Sequence, residues 1–365
     1  MQTYYWKLQN NAADNEIIAR AAEFIRQGEV VAFPTETVYG LGADGLNSEA
    51  VAKIFAAKGR PNDNPLILHI ADKASINRLT KGLTENAKIL MEKFWPGPLT
   101  LIVDKSDIVP DAVSAGLPTV AVRFPSNVFA QQLIKACGCP IAAPSANISG
   151  RPSPTNAPDV MEDMQGKVAA VLDGGSCGIG LESTVVDTTE PVPVILRPGG
   201  ITYEMLTEVL GVVEIDPALQ GDKNFRPKAP GMKYRHYAPK APMYLLEGKS
   251  AQLLPEMAAR AAAEGLKVGV LCSSAMKDRL PQLPQLQLAC WGDSREQLAA
   301  ELFYLLRDFD RTRPDVILAE GIDENGLGLA VMNRMRKAAG YQLVILTDEG
   351  LSIKNGTQLP SFMVK

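Results

Sequence analysis

Lys58-Gly59-Arg60-Pro61 sets two cations around a glycine, on what reads as a short loop just past a stretch with helical apolar spacing. Two fixed positive charges separated by a flexible residue suit an anion with several oxygens, such as a triphosphate. Arginine offers a planar fork and lysine a mobile point charge, so the pair can follow a phosphoryl group as its charge rearranges. A basic pair on a loop is ordinarily a solvated surface feature, so its weight comes from the company it keeps. That company is Pro34-Thr35-Glu36-Thr37-Val38-Tyr39-Gly40-Leu41, His69, Arg123, Pro144-Ser145-Ala146-Asn147, Ser183-Thr184, Arg197-Pro198-Gly199 and the run Pro230 to Pro239.

The chain contains no G-x-x-x-x-G-K-[ST] stretch, so a P-loop cradle for phosphates is excluded. The run Gly174 to Gly180 does not match G-x-G-x-x-G and reads as a turn bringing backbone close to a ligand or a neighbouring strand. Phosphates must then be held by side chains, and Lys58, Arg60, Ser145, Asn147 and Arg197 are the donors in loop contexts. Ser145 and Asn147 also suit an ordinary turn or helix cap. His69 lies in the apolar run Leu66 to Ile70, either as a satisfied core residue or as a neutral imidazole lining a pocket and assisting deprotonation of an amine near neutral pH. Thr35 sits in a tight turn where a strand ends, with Glu36 as its solvated neighbour outside the site. Arg123 ends an apolar strand and needs a carboxylate partner, structural or from a ligand.

The elements that must position these groups follow from periodicity. Residues 15–27 repeat apolar side chains at helical spacing with Gly28 as a stop, and 29–33 form a strand running into the Thr35 turn. A helix over 48–57 with Ser48 as N-cap ends at the Lys58 loop. Strands are expected at 66–70, 99–103, 119–124, 140–143, 168–172, 184–187 and 192–196, with helices near 72–80, 84–94, 126–136 and 202–210. Strands and helices mix without strict alternation, so the first part is expected to be an open, twisted, mixed α/β sheet. Pro217, Pro227, Pro230, Pro239 and Pro242, with Gly221 and Gly231, forbid a long regular element between 211 and 242. Beyond it, strands at 243–246, 267–271, 286–290 and 315–319 alternate with helices near 251–263, 294–307 and 327–339, the rhythm of a small Rossmann-like parallel sheet. The division expected is 1–211, a linker over 212–241, a second domain over 242–348 and a fraying tail over 349–365.

At 365 residues the chain suits two domains, and 46% hydrophobic content supports well-formed cores. A formal net charge of −4 argues against a general nucleic-acid-coating role, so no stable nucleic-acid binding is expected. Five scattered cysteines with two histidines indicate neither a zinc site nor a disulfide framework, and reduced cytoplasmic thiols are the expectation. The N-terminus lacks the pattern of an export signal, and no run of apolar residues has membrane-spanning length.

In their order, these motifs resemble the threonylcarbamoyl-AMP synthases that carry a YrdC-type domain, in their longer two-domain form. The resemblance covers about the first two hundred residues closely, then the linker, and rests on layout alone over the C-terminal third. It implies condensation of L-threonine, bicarbonate and ATP to threonylcarbamoyl-adenylate and pyrophosphate, toward threonylcarbamoyl-adenosine in tRNA. It carries nucleotide contact to Lys58, Arg60, Asn62, Ser145, Asn147, Ser153, Arg197, Tyr234 and His236, with Lys58 and Arg60 in the catalytic role. Threonine contact goes to Thr35, His69, Thr119, Arg123 and Ser183. No acidic cluster marks a metal cage, so Mg2+ is expected to arrive on ATP. Downstream tRNA threonylcarbamoyl-transfer enzymes are the implied partners, and the linker is read as a lid over the nucleotide or as a tether docked by Tyr234 and Tyr237. Two other readings stand beside this one: a carbamoyl-transfer enzyme of the hydrogenase-maturation type, which carries zinc-finger cysteine pairs not seen here, and a double-stranded RNA-binding module.

Overall fold

The computed structural model describes residues 2–220, 236–348, 350–354 and 356–364. It divides into two compact units, Met1–Ser149 with Ser153–Tyr234, and Gly150–Pro152 with Arg235–Lys365. No helix among the described residues is long and apolar enough to cross a membrane.

The first unit carries strands β1 (Tyr4–Lys7), β2 (Val31–Phe33), β3 (Gly40–Asp44), β4 (Ile67–His69), β5 (Leu99–Asp104), β6 (Thr119–Arg123), β7 (Ile141–Ala142), β8 (Ala170–Asp173), β9 (Thr184–Asp187), β10 (Val194–Arg197) and β11 (Glu214–Ile215). Its helices are α1 (Asp14–Arg26), α2 (Ser48–Lys58), α3 (Glu85–Phe94), α4 (Asp111–Ser114), α5 (Val128–Cys137), α6 (Ala157–Met164) and α7 (Tyr203–Leu210). The strands form one mixed sheet in the order β1-β8-β2-β3-β7-β4-β6-β5-β9-β10-β11. Alternation of side chains along each strand builds two cores. Val31 and Phe33 pack with α1 and α5, while Ala32 between them joins the core of α2, α3 and α6.

Local signals explain the helix ends. α1 stops at Gly28, whose positive φ lets Gly28 N–H reach Ile25 O and Glu29 N–H reach Phe24 O, the paired closure that satisfies carbonyls at a helix end. The N-cap of α2 is Asn47, not Ser48; its side chain accepts from the N–H groups of Glu49 and Ala50. Lys58 is the last residue of α2 and not part of a loop; the chain leaves the helix at Gly59, where φ is +61°. The aliphatic stem of Lys58 is thereby buried with the helix.

The second unit is a smaller sheet of β12 (Met243–Leu246), β13 (Val268–Cys272), β14 (Leu286–Cys290), β15 (Val316–Glu320), β16 (Leu343–Thr347) and β17 (Gly350–Ile353). The order is β14-β13-β15-β12-β16-β17, parallel throughout except for the β16–β17 pair. Helices α8 (Leu254–Ala263), α9 (Ser274–Lys277), α10 (Arg295–Thr312) and α11 (Gly328–Ala338) make the connections. Its residues 350–354 and 356–364 are not a fraying tail. β17 pairs with β16, and Phe362 and Met363 are buried, Phe362 meeting Tyr244 edge to face. Polar composition hid an edge strand, because one face of such a strand stays wet.

Candidate active site

Lys58 reaches from the end of α2 to the turn after β7. Its ammonium donates to Ser145 O at 2.5 Å and to Asn147 O at 2.7 Å, with Asn147 Oδ1 at 3.5 Å. Ser145 Oγ donates to that same Oδ1 at 2.5 Å, and Ser149 N–H returns to Lys58 O. Three of the predicted phosphate-binding residues thus converge although about ninety residues separate them. Arg60 donates to Asn64 O at 3.2 Å.

A second group forms across neighbouring strands. His69 on β4 is in register with Arg123 on β6, which is in register with Thr100 on β5. Arg123 is 3% exposed and donates to Glu36 Oε1 at 2.6 Å, Thr37 Oγ1 at 2.9 Å and Gly97 O at 3.4 Å. Burial alone would raise the Glu36 carboxyl pKa, but the charge and hydrogen bond of Arg123 outweigh it and hold the group below its usual range. His69 is buried edge-on to Phe33 with Nδ1 against Ile67 O. Desolvation, aided by the Arg123 charge, lowers its pKa to about 3. Beyond Thr100, Ser183 shares a 2.7 Å hydroxyl contact with it and accepts from Arg197 at 3.1 Å. Gly199 permits the closeness of this last group, since a Cβ there would collide with the Glu182–Thr184 backbone.

The segment 34–41 joins the two groups. Thr37 meets Arg123, while Gly40 bridges to Ser145 and Tyr39 O accepts from Ala146 N–H. Three residues span at most about 11 Å, so the two groups are neighbours along this segment. Gly174 packs against Pro34 and Phe129, and Tyr39 Oη donates to Gly175 O, so the glycine run serves close packing against a neighbouring segment.

Several predicted residues stand elsewhere. The Thr35 hydroxyl is consumed by its own turn, donating to Val38 O and accepting from the N–H groups of Thr37 and Val38. Thr119 opens β6, about 13 Å along the strand from Arg123, too far for one amino acid to touch both. Asn62 is exposed, whereas Asn64 is fully buried with no hydrogen bond to its amide among the described residues. Ser153 is buried and donates to Glu182. Tyr234 lies outside the described residues, as does 221–235 of the proposed lid. His236 belongs to the second unit, beside Tyr237, which stacks on Phe303 at 4.9 Å. Glu36, expected to be a solvated neighbour, is instead a half-buried counter-charge to Arg123. A buried arginine requires one, which was the available signal for both Glu36 and Thr37. Nothing in the sequence ranked Asn64 above Asn62.

A family model described as "Telomere recombination" matches residues 23–199, and one described as "Threonylcarbamoyl-AMP synthase, C-terminal domain" matches 201–340. A curated relative from Pyrococcus abyssi, named threonylcarbamoyl-AMP synthase, is 52% identical over 89% of this chain and 94% of its own length. One of the same name from Bacillus subtilis is 48% identical over 90% and 94%. Among solved structures, P. abyssi Sua5 complexed with L-threonine superposes with a TM-score of 0.88 at 49% identity, covering 94% of this chain and 99% of that one.

Proposed function

The chain belongs to the threonylcarbamoyl-AMP synthase family, and on that premise we propose that it condenses L-threonine, bicarbonate and ATP to threonylcarbamoyl-AMP and pyrophosphate. The observation that carries this reading is the single site in which Lys58, Ser145 and Asn147 gather beside the row His69, Arg123 and Ser183. One group supplies a cation for phosphates, the other a cation for a carboxylate in a buried setting.

Arg123 grips the α-carboxylate of threonine, and His69, neutral at working pH, hydrogen-bonds the substrate without taking its proton. Bicarbonate gives CO2 and a hydroxide, which takes a proton from threonine's ammonium and leaves as water. The neutral amine adds to CO2 and loses its second proton to solvent. A carbamate oxygen then attacks the α-phosphorus in line as the α–β phosphoanhydride bond breaks and pyrophosphate leaves with the Mg2+ brought by ATP. Lys58 and Arg60 stabilise the charge that builds at the phosphorus. Ser145, Asn147, Ser153 and Arg197 position the nucleotide, and the unmet amide of Asn64 replaces Asn62 as a nucleotide contact. The product serves tRNA modification through downstream transfer enzymes, and the chain divides into a first domain over 1–211, a linker over 212–241 and a second domain from 242 that takes in β17. The relatives' names favour this reaction over carbamoyl transfer of the hydrogenase-maturation type and over double-stranded RNA binding. ATP–pyrophosphate exchange is expected only when threonine and bicarbonate are both present. Exchange without either one would overturn the assignment.

A further inference from the structure

Arg123 presents five N–H donors, and its hydrogen bonds among the described residues use three: one each to Gly97 O, Thr37 Oγ1 and Glu36 Oε1. One donor remains on each terminal nitrogen, enough for a bidentate grip on a second carboxylate. The three fixed contacts are themselves braced. Glu36 Oε2 accepts from Asn127 N–H at 3.3 Å, Glu36 O accepts from Ile179 N–H, and the Thr37 hydroxyl is 2.8 Å from that of Thr35.

A substrate carboxylate entering this fork would share one guanidinium with Glu36. Two carboxylates on one cation repel each other, and the low dielectric of a buried site strengthens that repulsion. A ligand that brings its own ammonium relieves it; a simple monoanion does not. We propose that Glu36 is a specificity-determining residue that makes the Arg123 pocket select a zwitterionic α-amino acid over a carboxylate or inorganic anion lacking the ammonium group. The inference rests on the reading of threonine as substrate.

The other titratable groups facing the pair do not compete for the role. His69 stays neutral, and Cys177, in the glycine run, is kept protonated by burial, its pKa pushed up to about 12. The side chain of Glu36 is 14% exposed against 4% for Arg123, so the acidic partner is the less enclosed of the pair.

The test begins with threonine- and bicarbonate-dependent pyrophosphate formation by the intact wild-type chain; its absence would sink the synthase reading itself and not the role of Glu36. With turnover established, competition by the 2-hydroxy analogue of threonine, which lacks the amine, is measured. Wild type is expected to favour threonine by about 10- to 100-fold, the range of a hydrogen bond to a charged group. Equal inhibition by the analogue would overturn the proposal without any variant. Glu36→Gln is expected to erase most of that preference and to move the rising limb of the kcat–pH profile to lower pH. The sign follows because a nearby carboxylate stabilises the bound ammonium and raises its pKa. Glu36→Asp, which keeps the charge, should retain the preference with a raised KM. A Glu36→Gln enzyme with wild-type discrimination and an unmoved profile would mean that Glu36 is a structural counter-charge alone.

Discussion

His69 shows how far environment can move one side chain. Its type and its apolar strand were legible in the sequence, and both a hydrogen-bonding and a proton-taking role were open to it. Burial and the neighbouring Arg123 charge remove the second, since an imidazole with a pKa of about 3 is a very poor base near neutral pH. The same shift makes a stability prediction. Between pH 6.5 and about 3 the unfolded chain binds a proton at this residue that the folded chain refuses. Stability should therefore fall on acidification through that window, by up to about 1.4 kcal/mol per pH unit. His69→Gln should flatten that part of the curve in urea denaturation; an unaltered slope would show that other groups dominate it. Lys58 makes the complementary case, a cation whose burial comes from α2 and whose partners lie on another loop. Lys58→Met should lower stability by about 1–3 kcal/mol, because the carbonyls of Ser145 and Asn147 would face an apolar chain end. Pyrophosphate formation should fall on the order of 100-fold or more. A thermal melt and a pyrophosphate assay on the same preparation separate the two effects.

At the scale of elements, the site is a matter of ends. β4 and β6 finish at His69 and Arg123, α2 finishes at Lys58, and the turn after β7 brings Ser145 and Asn147 to Lys58. The strands and most helices were readable from apolar period, but their caps were not: Asn47 won over Ser48 because its side chain reaches two N–H groups at once. Gly199 is the tightest of these junctions. Gly199→Ala would drive a methyl into the backbone of Glu182 to Thr184, and the Arg197–Ser183 contacts would part. Overpacking of this kind costs typically about 1–3 kcal/mol. We expect a lower Tm and a raised KM for both ATP and threonine. Wild-type constants for the variant would mean that the turn relaxes without disturbing the site.

For the whole molecule, two units with separate sheets divide where the sequence rhythm changes, and β17 is paired in the second sheet despite its polar surroundings. Truncation after residue 348 would strip β17 from β16 and remove buried Phe362 and Met363. Losing that burial should cost about 3–6 kcal/mol, read as an earlier unfolding transition than that of the full chain; coincident melts would return the segment to the status of a tail. Spacing and residue chemistry along the chain carried the family, the mixed and parallel sheets, and the residue types proposed for phosphates and an amino acid. These follow from short-range order, where spacing and chemistry lie along the chain. Only the tertiary structure decided that Thr37 and Glu36, not Thr35, attend Arg123, and that Asn64 is buried while Asn62 is wet. It also decided that His69 stays uncharged. Those facts depend on which strands lie side by side and on how much water reaches each group, and neither is written in any single segment.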